Sequence, residues 1–306
     1  MHWFFKFLFI FLLIFFIIFF LGFIRPKILP QKNVSNTEKY GVIFQNEHWS
    51  GTIRITGDIW SLPGAVVSVE PGTKILIENH GDRSNMDFIP LHWKSGVNSS
   101  QEVINEIRPG EPFLDEKQKI SLRFFKFYAS GTKQDPIIIQ SASFTPGPYD
   151  VNKIYIKTGV LANVYLSNFR RLEVGSNTTI MDSSFRDIGE CAVCILGSNP
   201  RVSNSKFDGS LRDYIWINGG SPKITGNLFL PIKGHGIVID PQKYGHPEIQ
   251  NNEFQIPGKN AVYFLNGDEK TPPMISNNFF AAGDIQLPCN SRALILRNHI
   301  KSNLVF

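Results

Sequence analysis

One pattern recurs through the C-terminal half of this chain: an aliphatic residue, Asn or Ser three positions later, and Phe two after that. It appears at Val164/Ser167/Phe169, Ile180/Ser183/Phe185, Val202/Ser205/Phe207, Ile224/Asn227/Phe229, Ile249/Asn252/Phe254 and Ile275/Asn278/Phe280, with a last copy at Ile295/Asn298/Ile300. Pro200, Pro222, Pro247 and Pro273 each stand two positions before the aliphatic residue. Thirteen residues after it a second apolar pair begins, at Val193/Ile195, Ile215/Ile217, Ile237/Ile239 and Val262/Phe264. Alternation within each short run marks strands with one buried face. No helix-length amphipathic segment separates them, so folds that need helical crossovers lack the material. A period near 22 residues suits one coil of three short strands, and self-similarity at such a period is the mark of a solenoid. Coils stack at the β spacing of about 4.8 Å, so equivalent residues form ladders. Phe is expected over Phe inside. The Ser/Asn series is expected as a polar ladder at a turn, its Asn residues in the left-handed region and bonded to the next coil.

The N-terminal part carries a different pattern. Trp49, Gly51, Gly57, Asp58, Pro63, Gly64, Pro71, Gly72, Thr73, Gly131, Thr132 and Pro136 stand in the order W-x-G, G-D, P-G, P-G-T, then G-T and P. This series resembles the opening coils of bacterial surface proteins with a right-handed parallel β-helix, of the pectate-lyase-like kind. With the repeat, the resemblance covers most of the chain after residue 45. It implies an all-β, right-handed parallel β-helix over 46–306. An insertion at about 79–119 interrupts it, rich in groups able to bind a ligand: Asp82, Arg83, His92 and Trp93.

Ahead of the solenoid, Phe7 to Ile24 is an almost purely apolar run bounded by Lys6 and by Arg25 and Lys27. Eighteen such residues reach the minimum for a bilayer-spanning helix, and no small-residue cleavage site follows. Residues 1–25 are therefore expected as an uncleaved transmembrane signal anchor, and the polar residues 26–45 as a tether. Counting basic residues around the span would put the C-terminal side in the cytoplasm. The resemblance implies the opposite, an extracytoplasmic domain on a single-pass anchor, and that is the expectation adopted.

Charged residues make up only 19% of the chain and apolar ones 42%, which excludes compositional disorder. The net charge of +5 comes from scattered Lys and Arg with no basic run or helix, so nucleic acid is not an expected partner. Three Cys do not make a disulfide scaffold. Cys191 and Cys194 have CxxC spacing inside the strand-like run CAVCIL. Side chains three apart on a regular strand point to opposite faces, so their sulfurs are expected to diverge. Cys289 has no evident partner.

The resemblance requires a test for carbohydrate chemistry. Gly234-His235-Gly236 resembles a fragment of polygalacturonase-type glycosidases. The carboxylate pairs such enzymes need and the basic segment after the His are missing from this chain. Calcium wants six to eight oxygens, and Asp208, Asp213 and Asp240 form no cluster on successive coils. Asp240-Pro241-Gln242 only begins like the D-P-H-D signature of alginate epimerases and lyases. No metal site and no cofactor is expected.

One constellation remains. Aligning coils on Ile215, Ile237 and Val262 stacks Asp213, His235 and Asn260, with Trp216, Val238 and Tyr263 at the next outward position and Asn218 and Asp240 beyond. Aromatic faces suit sugar rings, and a carboxylate beside an imidazole is expected to raise the His pKa. Asp213, His235 and Asp240 are the candidate catalytic residues. Trp216, Tyr263 and Asn260, with the insertion's Asp82, Arg83, His92 and Trp93, are the candidate ligand-binding ones. The expected function is a membrane-anchored, non-catalytic protein binding or organising envelope polysaccharide or surface glycan. The alternative is a polysaccharide lyase or glycoside hydrolase of the same fold. The last coil, Ile295 to Phe306, carries no capping element, which points to a partner chain or self-association there, or to a chain that continues.

Overall fold

Each short strand of the repeat offers one apolar face, and each turn holds a residue able to leave the strand direction, so the chain winds. The computed structural model describes residues 37–78, 120–141, 153–240, 244–265, 272–288 and 291–301. These form 25 strands joined by parallel pairings into one continuous ladder. The first coils hold β1 (Thr37–Ile43), β2 (Glu47–Trp49), β3 (Thr52–Ser61), β4 (Val66–Val69), β5 (Lys74–Ile77), β6 (Ser121–Ser130) and β7 (Ile137–Ser141). Then come β8 (Lys153–Ala162), β9 (Val164–Phe169), β10 (Arg171–Val174), β11 (Thr178–Met181) and β12 (Ser184–Ile188). From there the coils are regular: β13 (Cys191–Leu196), β14 (Arg201–Ser203), β15 (Lys206–Ser210), β16 (Asp213–Asn218), β17 (Lys223–Thr225), β18 (Leu228–Phe229) and β19 (Ile237–Asp240). The last are β20 (Glu248–Gln250), β21 (Glu253–Phe264), β22 (Met274–Ser276), β23 (Phe279–Gln286), β24 (Leu294–Leu296) and β25 (His299–Ile300).

The core is the expected set of ladders. Phe185, Phe207, Phe229, Phe254 and Phe280 stack face to face with centroids 4.9, 4.8, 4.7 and 5.0 Å apart. All five are essentially inaccessible, and each contributes about 2–3 kcal/mol of apolar burial. Beside them Ile180, Val202, Ile224, Ile249 and Ile275 form the aliphatic ladder in continuous register. The carbonyls of Pro200, Pro222, Pro247 and Pro273 each accept a backbone N–H from the next coil; a proline has none to return.

The polar ladder is a chain of shared acceptors. The backbone N–H of Asn227 donates to Asn252 Oδ1 at 3.0 Å, that of Asn252 to Asn278 Oδ1 at 2.9 Å, and that of Asn278 to Asn298 Oδ1 at 3.0 Å. The amide nitrogens donate back to the aliphatic ladder: Asn252 Nδ2 to the Ile224 carbonyl and Asn278 Nδ2 to that of Ile249, both at 2.9 Å.

Two details differ from expectation. The left-handed residue is the one before the ladder position: Asn204, Gly226, Asn251, Asn277 and Arg297 have φ of 49, 68, 55, 54 and 51°. That residue turns the chain so that the next side chain enters the coil. The first copy of the repeat is also out of register by three: Phe185 pairs with Leu166 and Ile180 with Leu161, while Phe169 pairs with Ile188. The true ladder members there are Leu161, Val164 and Leu166, so the short first step in the sequence was a coincidence of spacing.

β1 pairs with β3 from Thr37 onward, so the solenoid begins inside the segment 26–45 expected as a tether. The apolar run 7–24 lies outside the described residues. Among the described residues no helix is long and apolar enough to cross a membrane. The insertion 79–119, with Asp82, Arg83, His92 and Trp93, also lies outside them, as does Cys289. In the last described coil Leu294, Ile295, Leu296 and Ile300 are about half exposed.

Candidate functional site

The site is built where the strand alternation slips. In β13, β16, at the entry to β19, and in β21, two consecutive residues point inward: Ala192 and Val193, Tyr214 and Ile215, Gly236 and Ile237, Ala261 and Val262. A doubled inward pair places residues i and i+3 on the same outward side, which a regular strand would not do. Asp213 thereby joins Trp216, His235 joins Val238, and Asn260 joins Tyr263 on one face. Cys191 and Cys194 obey the same rule, so their sulfurs meet and form a disulfide, with Cα atoms 5.7 Å apart. The expected divergence is wrong because the strand bends between them.

Register sets the columns of this face. Cys191 pairs with Asp213 and Cys194 with Trp216; Trp216 pairs with Val238, and Val238 with Tyr263. The column continues to Gln286 in one direction and through Glu173, Tyr155, Arg123 and Trp60 to Val42 in the other. Spacing in the sequence reveals only Trp216, Val238 and Tyr263 of this column, because Trp60 and Arg123 are adjacent rungs on either side of the insertion.

Asp213 and His235 do not meet side chain to side chain. Asp213 Oδ1 accepts the backbone N–H of His235 at 2.7 Å, and His235 Nδ1 accepts the backbone N–H of Asn260 at 3.3 Å. Each side chain holds the backbone of the next coil. The imidazole, accepting at Nδ1, keeps its proton on Nε2 and stacks on the Tyr263 ring at 4.4 Å. Asn260 Nδ2 donates to Gln286 Oε1 at 2.7 Å. Burial pushes the Asp213 carboxyl up, against the His235 N–H, the His235 ring, Arg212 and Lys259, which favour its charged form. Burial likewise holds His235 below its ordinary value, outweighing the attraction of Asp213. The sequence expectation of a raised His pKa is therefore reversed: desolvation of the imidazole exceeds the pull of a carboxylate already shared with the backbone.

The two glycines around His235 have structural reasons. A Cβ on Gly234 would stand 2.4 Å from the Arg212 carbonyl oxygen and 2.7 Å from Asp213 Oδ1. A Cβ on Gly236 would strike Ile256 and the Ala261 carbonyl inside the coil. Gly-His-Gly here is what lets the carboxylate approach the next coil's backbone.

Over β16, β19 and β21 the second column is apolar. Val238, between Trp216 and Tyr263, is only 1% exposed although it points outward, and the two rings flank it. Beyond it Asn218 pairs in register with Asp240. Asp240 is buried, and the Oδ1 of Asn218 has no hydrogen-bond partner among the described residues. On the N-terminal side of the disulfide, Arg170 binds Glu190 at 2.5 Å and Arg171 binds Glu173 at 2.6 Å, closing the face with paired charges. Among the described residues no group of three or more His, Cys, Asp or Glu could hold a metal ion.

A family model described as a right handed beta helix region matches residues 152–280. The described residues within that span wind as a right-handed β-helix. That β-helix contains the Phe stack and the whole Asp213–His235–Asn260 column, and the coils before it continue in register. No curated protein and no solved structure matches the chain.

Proposed function

We propose that this β-helix protein binds envelope polysaccharide along the outer face of β16, β19 and β21, and that it does so without cleaving it. The observation that carries this reading is the registered strip of Trp216, Val238 and Tyr263, edged by Asp213, His235 and Asn260 on one side and Asn218 and Asp240 on the other. An apolar and aromatic strip with polar edges matches the faces and hydroxyls of a sugar chain. Rungs repeat about every 4.8 Å, so the strip runs along the solenoid axis and favours an extended polymer over a compact ligand.

The non-catalytic part of the reading is supported by how the titratable groups are used and by what the sequence lacks. Asp213 Oδ1 and His235 Nδ1 hold backbone N–H groups of the next coil, and only Oδ2 and Nε2 are left for a substrate. The carboxylate pairs of a glycosidase are missing. A lyase or hydrolase of this fold is the alternative. The apolar run 7–24 supports anchoring at a membrane, and the Cys191–Cys194 disulfide supports an oxidising, extracytoplasmic setting.

The deciding experiment measures retention of the full chain, in mild detergent, on a panel of neutral and acidic polysaccharides, alongside assays for reducing ends and unsaturated products. Retention lost in Trp216→Ala and Tyr263→Ala, with no product released, is expected. Product release that disappears in Asp213→Asn or His235→Gln would establish the enzyme instead. Unchanged retention in both aromatic variants would remove the site.

A further inference from the structure

The Cys191–Cys194 bond lies directly under the strip. Cys191 is the backbone partner of Asp213 and Cys194 that of Trp216, in a register that continues through Leu196 and Asn218. Across the four coils that share the doubled inward pair, this is the one where the outward i and i+3 residues are joined covalently. The β13 and β16 bends are held by different groups, whereas β19 and β21 bend over Gly236 and Ala261 with neither. In β16 the bend is tied by the Tyr214 hydroxyl, which accepts the Gly209 N–H at 2.9 Å and donates to the Pro231 carbonyl at 3.3 Å. In β13 the equivalent inward residue is Ala192, which has no group able to make such a tie. The disulfide holds from outside what Tyr214 holds from inside.

A bond between residues three apart closes so short a loop that it removes little entropy from the unfolded chain. Its effect is local geometry rather than global stability. Cys191 and Cys194 are 8% and 4% exposed and occupy the rung next to Asp213 and Trp216 along the axis.

We propose that Cys191 and Cys194 are positioning residues for the polysaccharide-binding face, their disulfide fixing the separation of the Asp213 and Trp216 rung stacked upon it. The functional half of this proposal rests on the binding reading above; the structural half does not. With the bond opened, either by a dithiol reductant or by Cys191→Ser with Cys194→Ser, the bend of β13 loosens and the β16 rung above it loses its template. Reduction breaks the sulfur–sulfur bond, oxidises the dithiol to its own disulfide and leaves a proton on each cysteine sulfur.

The test uses the full chain in three forms: untreated, treated with dithiothreitol under native conditions, and the double serine variant. Alkylation followed by mass measurement counts the thiols. Hydrogen exchange is then read on peptides from β16 and, as a control, from β22 and β23. Faster exchange in β16, unchanged exchange in β22 and β23, and a midpoint of thermal unfolding within a few degrees of the untreated chain are expected. Retention on polysaccharide should fall by about two- to thirtyfold, the range for residues that act through a neighbour. A purely structural bond would raise exchange throughout and lower the midpoint. Identical β16 exchange in the oxidised and opened forms would overturn the proposal. If the serine variant does not fold, the dithiol-treated chain decides. If the untreated chain retains no polysaccharide, the binding reading fails, and the exchange data still judge the clamp.

Discussion

The carboxylate of Asp213 and the backbone of His235 are joined across two coils: Oδ1 takes the His235 N–H at 2.7 Å. A side chain that belongs to the candidate site thus also does the work of a ladder hydrogen bond. Removing the acceptor and keeping it should have different outcomes. Asp213→Ala leaves a partly buried N–H unpaired and is expected to cost about 1–3 kcal/mol. Asp213→Asn keeps an acceptor and should cost little. Denaturant unfolding of the two variants separates them.

The raised Asp213 pKa adds a pH signature to the same pair. A group that binds its proton more tightly when folded makes the folded state relatively weaker as pH rises from the ordinary Asp value to the raised one. Asp213→Asn should remove that part of the acid-side slope, seen in unfolding midpoints from pH 3 upward.

His235 works in the opposite direction. Its pKa is lowered, so its stabilising contribution is complete above the ordinary His value of 6.5 and is lost as pH falls through the lowered one. Protonation at Nδ1 also destroys the acceptor for the Asn260 N–H. The wild-type chain should therefore lose more thermal stability between pH 7 and pH 5 than His235→Gln does, and a parallel loss in both would contradict the assignment.

Gly234 permits this geometry by lacking a side chain. Gly234→Ala places a carbon 2.4 Å from the Arg212 carbonyl oxygen and 2.7 Å from the Asp213 carboxylate. Backbone must shift to make room, at about 1–3 kcal/mol. The loss should be accompanied by weaker polysaccharide retention, measurable on the same resin as the aromatic variants.

The polar ladder makes the sharpest stability prediction. Asn252 Oδ1 accepts both the N–H and the Nδ2 of Asn227, and its own Nδ2 donates to Ile224 and Asn278. Asn252→Ala orphans groups in the coils on either side and should cost about 2–4 kcal/mol, more than one hydrogen bond. Asn252→Ser should recover part of it, because Ser205 and Ser183 fill the same place in earlier coils. Chemical denaturation of the pair tests both.

Much of this was legible from residue order. Aliphatic, Asn and Phe positions fixed the coil and its register, and register alone stacked Asp213, His235 and Asn260 in the right order. What order could not reveal was direction. The doubled inward residues, such as Tyr214 with Ile215, reverse which neighbours share a face, so Cys191 and Cys194 were placed apart when they are bonded. The bonding of Asp213 to a backbone N–H rather than to the imidazole depends on Gly234 allowing close approach, a distance no spacing rule contains. The N-terminal rungs Trp60, Arg123 and Tyr155 escaped notice because adjacent coils there are separated by the insertion, and a ladder is visible in sequence only while its period holds.

Because each coil touches only its neighbours, the composition of the outer face is a record of coil order. Lys223 to Pro247 is one full period, its ends equivalent in the register that pairs Lys223 with Glu248. Excising that period would join Pro222 to Glu248, keep the aliphatic, Asn and Phe ladders intact, and seat Asn260 where His235 had been. The face is a deck of rungs that gene duplication and loss can reshuffle by whole coils, so its outward side chains can change while its core does not.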